Sequence, residues 1–203
     1  MPDHFSVLGE PRRPWLDPEA VKEKFHSLSA EVHPDRVHGA SEAERRAANE
    51  RYTALNAAYQ CLREPRLRLA HLLELVRGSR PEVVQSVPAD LMNLFFEVGQ
   101  HLKSADAFLA ENTKATSPLL KVQLFARGQE ISERLAAARR SLAEREAVLG
   151  FELRQLDEDW LTGARSARRA AVLDRLEEVY RLLSYFSRWN AQLQERIVQL
   201  ALA

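Results

Sequence analysis

Cysteine is almost missing from this chain: Cys61 stands alone among 203 residues. That excludes an internal disulfide, and no second thiol supplies the paired spacing of a structural zinc site, so a reducing cytoplasm is the expected compartment. Glycine and proline are scarce, at seven and nine residues, while Ala, Leu, Arg and Glu are abundant. Few turn signals and many helix formers favour long helices over many short strands. Net charge is absent too, with 29 Lys and Arg against 29 Asp and Glu. No global field would hold the chain on nucleic acid or an anionic membrane, so any electrostatic recognition must be local. The N-terminus has no apolar run of signal-peptide type, and no segment reaches the roughly 18 uninterrupted apolar residues of a membrane span. No membrane contact is expected. The six histidines form no HExxH and no ligand pair on one helix, so neither a metal nor a cofactor is expected.

What is present is helical periodicity. Asp3 to Leu8 is short and apolar enough for one or two helical turns before Gly9-Glu10-Pro11 stops it. Asp17 is a good N-cap and Pro18 suits the first helical position, after which Val21, Phe25, Leu28 and Val32 recur at steps of four, three and four. This helix must end by Val32 or His33, because Pro34 biases its predecessor away from helical angles. Ser41-Glu42-Ala43-Glu44 has the form of a capping box, and Tyr52, Leu55, Tyr59 and Leu62 mark a second stripe that runs to Pro65. The two stripes can close as an antiparallel pair with Phe5 and Leu8 at one end.

Arg77-Gly78-Ser79-Arg80-Pro81 and Pro88 then interrupt the pattern. The expected division is a small domain over 1–76, a linker over 77–89 and a helical bundle over 90–203. In the bundle, Leu91, Met92, Leu94, Phe95, Phe96 and Val98 make the first helix apolar nearly all round. Leu124, Ile131, Leu135, Leu142, Leu149, Leu153 and Leu156 follow at steps of seven, four and three. A break near Thr162-Gly163 leads to the stripe Leu173, Leu176, Tyr180, Leu183, Phe186, Trp189, Leu193, Ile197 and Leu200. A three-helix bundle with two long antiparallel helices is expected.

His33-Pro34-Asp35 sits in the loop between two mutually facing helices. Pro34 fixes the backbone, His33 offers a polar ring and Asp35 an acceptor-only carboxylate suited to an arginine on a partner. A rigid loop that presents polar groups suits docking. A hydrolytic site would need a pocket and a nucleophile that such a loop lacks, so a non-enzyme is expected.

These residues carry a family resemblance. His4-Phe5-Ser6-Val7-Leu8-Gly9, the helix ending in His33-Pro34-Asp35-Arg36, and Leu55-Asn56-Ala57-Ala58-Tyr59-Gln60-Cys61-Leu62-Arg63-Glu64-Pro65 together resemble a J domain. The loop from Gly9 through Pro11 and Pro14 to Leu16-Asp17, with the run Arg68 to Leu75, is similar to the HscB family within J domains. Further on, Leu91-Met92 with Phe95 resembles the start of that family's client-binding helix, and Gln155-Leu156-Asp157 with Trp160 a late landmark of its bundle. The resemblance implies an all-α chain with a J domain (an antiparallel helical hairpin plus a short first helix) followed by the bundle. It further implies a co-chaperone that stimulates a DnaK/HscA-type ATPase and delivers an IscU-like iron-sulfur scaffold protein to it. Chaperone-binding residues would be His33, Pro34, Asp35, Arg36, Lys22 and Lys24. Client-binding residues would be Leu91, Met92, Phe95, Phe96 and Tyr185.

Two departures stand out. Where J domains carry basic residues on the helix before the tripeptide, this chain has Ser29, Ala30 and Glu31, which implies weaker docking or a partner with a different charge pattern. Val98 and Gly99 replace charged positions of the family's first bundle helix. Leu91, Met92, Phe95 and Phe96 could serve as core alone, as helical stripes usually do; against that, an all-round apolar helix exceeds what three helices can cover. Arg139-Arg140 and Arg165 to Arg169 are interleaved with acidic residues and lack stacking aromatics, so they read as solvated faces and not as a nucleic-acid surface. The competing function is a J-domain adaptor whose coiled-coil-like helices bind an unrelated partner or form a homodimer.

Overall fold

The computed structural model describes residues 2–33, 41–81, 87–115, 117–162 and 166–202. The described residues form no strand; they build seven α-helices: α1 His4–Leu8, α2 Pro18–Glu31, α3 Glu42–Arg63, α4 Pro65–Arg77, α5 Met92–Asn112, α6 Pro118–Thr162 and α7 Ser166–Leu202. The all-α expectation holds. Internal contacts divide the chain into two compact units, one of residues 1–82 with 150–180 and one of residues 83–149 with 181–203. This grouping differs from the expected 1–76, 77–89 and 90–203, because the end of α6 and the start of α7 pack with the N-terminal segment.

In the first unit, local capping sets the helix starts. Asp3 accepts the backbone N–H of Phe5 at 3.0 Å, Asp17 those of Glu19 and Ala20, and Ser41 and Glu44 form the reciprocal capping box. Gly9 ends α1 at φ 67°, in the left-handed region that L side chains rarely adopt. Phe5, Leu8, Val21, Leu55, Ala58 and Leu62 are buried where the α2 and α3 stripes meet α1, and the Phe25 and Tyr59 rings stack at 4.2 Å. Each fully buried Leu or Phe contributes about 1.5–3 kcal/mol of transfer free energy, so this seam holds the pair together more than helix propensity does.

Helix α4 is not evident in the sequence pattern. Glu64-Pro65 stops α3 and at once starts α4: the Glu64 carboxylate accepts the N–H groups of Arg66 and Leu67, and Pro65 occupies the first position, where no N–H is needed. The helix buries Leu69, Leu72 and Leu73.

The loop between α1 and α2 is fixed by distant residues. The buried Asp157 of α6 takes a bidentate contact from the Arg13 guanidinium and lies 3.4 Å from the Trp15 backbone N–H, and the Trp160 indole donates to the Arg12 carbonyl at 2.9 Å. Arg68, itself buried, donates to the carbonyls of Pro14 (2.9 Å) and Leu62 (2.6 Å), satisfying a guanidinium that would otherwise be costly inside. Arg154 lies over the Trp15 ring at 5.0 Å.

In the second unit the heptad-like leucines are the core. Leu124, Ile131, Leu135, Leu142 and Leu149 of α6 are buried, as are Leu183, Phe186, Trp189 and Leu193 of α7 and Leu94, Val98, Ala105 and Phe108 of α5. Arg139 donates to Asn190 at 2.6 Å, and Arg196 to Asp106 at 2.5 Å, tying α7 to α6 and α5. Gly128 is required by closeness: a Cβ there would lie 2.9 Å from the Phe108 ring.

Candidate functional site

Of the docking residues read from the sequence, His33 falls at one end of the α2 and α3 pair, and Lys22 and Lys24 lie along α2. Val32 caps α2, donating its N–H to the Leu28 carbonyl, and His33 follows directly, half-buried. Its ring meets the Tyr52 ring edge-on, with centroids 5.4 Å apart. An α3 aromatic therefore orients the histidine. Pro34, Asp35 and Arg36 lie outside the described residues.

The two lysines of α2 are both engaged. Lys22 pairs with Glu19 one turn away at 3.1 Å. The Lys24 ammonium donates to the Gly9 carbonyl and to the Glu10 carboxylate, the latter at 2.9 Å. Lys24 thus clamps the end of α1 to α2, a role with no local signal in the sequence.

The five client-binding candidates separate by exposure. Leu91 and Tyr185 are buried at 4% and 6% exposed, Met92 is half-buried, and Phe95 and Phe96 stand out at 40% and 58%. Of these five, the two phenylalanines leave the most aromatic surface in water. They pack edge to face at 5.6 Å, and Phe95 approaches Trp189 at 6.3 Å, which in turn meets Tyr185 at 5.7 Å. Tyr185 therefore supports the exposed pair from beneath, through Trp189. Val98, the departure from the family's charged position, is core. Gly99 instead opens a groove of about 370 Å³ beside Phe95 and Phe96, with Gln100 and Lys103 on its edge. Sequence reasoning placed Trp189 in the core stripe and missed its support of the aromatic face; nothing short of the packing reveals that.

A third cluster surrounds the α1 end of the first unit. His71 of α4 is buried, and its Nε2 accepts the His4 backbone N–H at 3.0 Å while Phe5 stacks on its ring. Only a neutral imidazole can accept there, and burial, reinforced by the nearby His4, pushes the His71 pKa down against the opposing pull of Asp3 and Glu74. Burial likewise lowers His4, against Asp3. For Asp3, burial acts to raise the pKa, yet hydrogen bonds from Ser6 and Arg12 outweigh it and hold the carboxyl at about 2.

Comparison with known proteins adds a family context. Residues 3–71 match the model of the DnaJ domain. Over 72 residues the chain is 46% identical to a co-chaperone protein HscB homolog of Bordetella pertussis and 43% identical to that of Bordetella avium. The match spans 36% of this chain and 42% of the Bordetella pertussis protein, less than half of that relative's length. The fold is similar to that of the human co-chaperone protein HscB, with a TM-score of 0.59 and 18% identity over 96% of this chain and 81% of the other. It is similar also to chaperone HscB from Vibrio cholerae, with a TM-score of 0.60 and 23% identity over 98% and 99%. At these identities the likeness is one of fold.

Proposed function

We propose that this chain, with a DnaJ domain over residues 3–71 and an HscB-like fold, is a co-chaperone for a DnaK/HscA-type ATPase. His33, Pro34, Asp35 and Arg36 dock on the ATPase, with Lys22 at the edge of the contact, and docking stimulates ATP hydrolysis. The second unit binds an IscU-like iron-sulfur scaffold protein through Phe95 and Phe96, with Met92 at the margin, and so brings that client to the ATPase. The observation that carries the reading is the DnaJ-domain match together with His33 held against Tyr52 at the exit of α2. The exposed aromatic pair supports the client half, because large apolar side chains left in water on a folded chain mark binding surfaces more often than their neighbours do.

The test is binding of a candidate scaffold protein, followed by calorimetry, to the wild type and to a Phe95→Ala, Phe96→Ala double variant. Binding by the wild type alone fits the proposal; equal binding by both moves the client surface elsewhere.

A second reading, the adaptor that self-associates, draws on one feature. Leu120, Val122 and Phe125 near the start of α6 are exposed, as are Val198 and Leu202 near the end of α7. A mass that doubles with concentration in sedimentation would favour it.

A further inference from the structure

We infer that Gly99 forms a slot in the client face of the second unit, where a large apolar side chain of the client protein descends onto the α5 backbone and an acidic neighbour of that side chain meets Lys103. This rests on the client-binding role proposed for Phe95 and Phe96. Gly99 lies in the interior of α5, where glycine is the poorest helix former after proline. Two reasons within a chain would keep a glycine there, a positive φ or a close neighbour. Neither applies: the positive-φ glycines are Gly9 and Gly78, and a Cβ on Gly99 would meet nothing within 4 Å among the described residues. Gly128 of α6 shows the contrast, since a Cβ there would lie 2.9 Å from the Phe108 ring. The α5 backbone at Gly99 is exposed and open to approach by another chain.

The surroundings give the slot its chemistry. Gly99 lies in the groove of about 370 Å³ that Phe95 and Phe96 line at one end and Gln100, Lys103 and Ser104 at the other. Phe95 and Phe96 precede Gly99 by four and three residues, so both neighbour it on the helix surface, and its missing side chain leaves ring surface uncovered. A large apolar side chain seated there touches both rings and the backbone between them. A small or polar one leaves that aromatic surface in water, which favours the first. Lys103 is the one charged residue among the described residues that line the groove. The carboxylates nearest to it along α5, Glu97 and Asp106, do not line it, and Asp106 pairs with Arg196 at 2.5 Å. An anionic neighbour of the seated side chain is therefore preferred to a cationic one, and Lys103 sets its direction along α5.

Calorimetry with the source organism's IscU-like scaffold protein, at low and high salt, compares the wild type with Gly99→Ala, Gly99→Leu, Lys103→Glu, Gly150→Ala and the Phe95→Ala, Phe96→Ala variant. Gly150 of α6 is the control, because a Cβ there also meets nothing within 4 Å. Both glycine-to-alanine variants are expected to raise the thermal midpoint by about 2–4 °C, since alanine favours a helix. Only Gly99→Ala is expected to weaken binding as well, about threefold, and Gly99→Leu on the order of tenfold or more. A chain that becomes more stable while binding less tightly has lost a contact and not its fold. Lys103→Glu is expected to weaken binding about three- to tenfold at low salt and less at high salt. If Gly99→Leu binds as tightly as the wild type while the Phe95→Ala, Phe96→Ala variant does not bind, the slot is overturned and the client face stands. Equal losses in Gly99→Ala and Gly150→Ala also overturn the slot, and unchanged binding by Lys103→Glu overturns the acidic neighbour. If the wild type binds no scaffold, or the double phenylalanine variant binds as the wild type does, the client-face reading itself fails.

Discussion

The His33 end of the first unit and the Phe95 face of the second are built on opposite principles. In the first unit, several charges among the described residues are engaged within the chain: Lys24 with the end of α1, Lys22 with Glu19, Glu44 with its capping box. The described part of that end presents the His33 ring, set edge-on against Tyr52. At the second, aromatic surface remains in water, with Phe95 and Phe96 exposed over a Trp189 and Tyr185 base. One surface is suited to register and rate, the other to affinity, since charges at a rim steer association while buried aromatic area carries binding energy.

The sharpest way to separate the two is His33→Gln. Stimulation of the ATPase should disappear in a single-turnover assay, while scaffold binding and the thermal midpoint stay within error, because a residue at a loop edge contributes little to stability. Next is the Phe95→Ala, Phe96→Ala double variant. Scaffold affinity should fall on the order of 30- to 1,000-fold in calorimetry, at about 1–2 kcal/mol per truncated aromatic, with basal stimulation retained. Adding Leu91 to that variant would blur the comparison, because Leu91 is core and its truncation costs about 2–5 kcal/mol of stability.

A smaller effect tests how the first unit is held. Asp157→Asn keeps an acceptor for the Trp15 N–H but removes the charge facing Arg13, so denaturant unfolding should show a loss of about 1–3 kcal/mol. The smallest effect is pH-dependent. His71 and His4 have pKa values depressed below the ordinary 6.5, so the unfolded chain binds more protons than the folded one just below that pH. The stability they contribute is complete above 6.5 and is lost as pH falls from there through the folded values. The thermal midpoint should therefore decline between pH 7.5 and 5.5, less steeply in His71→Phe. Asp3 enters only later, between 3.8 and about 2, as its carboxyl is protonated.

Much of this was legible in the sequence for reasons that are local. Asp17-Pro18, the Ser41 capping box and Gly9 each write a helix end into a few adjacent residues, and the leucines of α6 and α7 repeat often enough to declare a buried stripe. His33-Pro34-Asp35 is a contiguous motif. The rest depends on pairs far apart in the chain. Arg13 and Asp157 are separated by 144 residues, and no local pattern couples them, so the return of 150–180 to the first unit could not be read. Helix α4 was hidden because Pro65 reads as a stop when Glu64 makes it a start. In the client candidates, periodicity could not tell buried Leu91 and Tyr185 from exposed Phe95 and Phe96, since all four are large and mainly apolar.

The central claim is that one chain couples an ATPase to a client, and synergy in single-turnover hydrolysis tests it most directly. ATP-loaded DnaK-type chaperone is mixed with this chain, with an IscU-like scaffold, and with both. The account expects the pair to exceed the sum of the separate stimulations, with synergy lost in both His33→Gln and the Phe95→Ala, Phe96→Ala variant. Additive stimulation, or synergy that survives loss of His33, would contradict it.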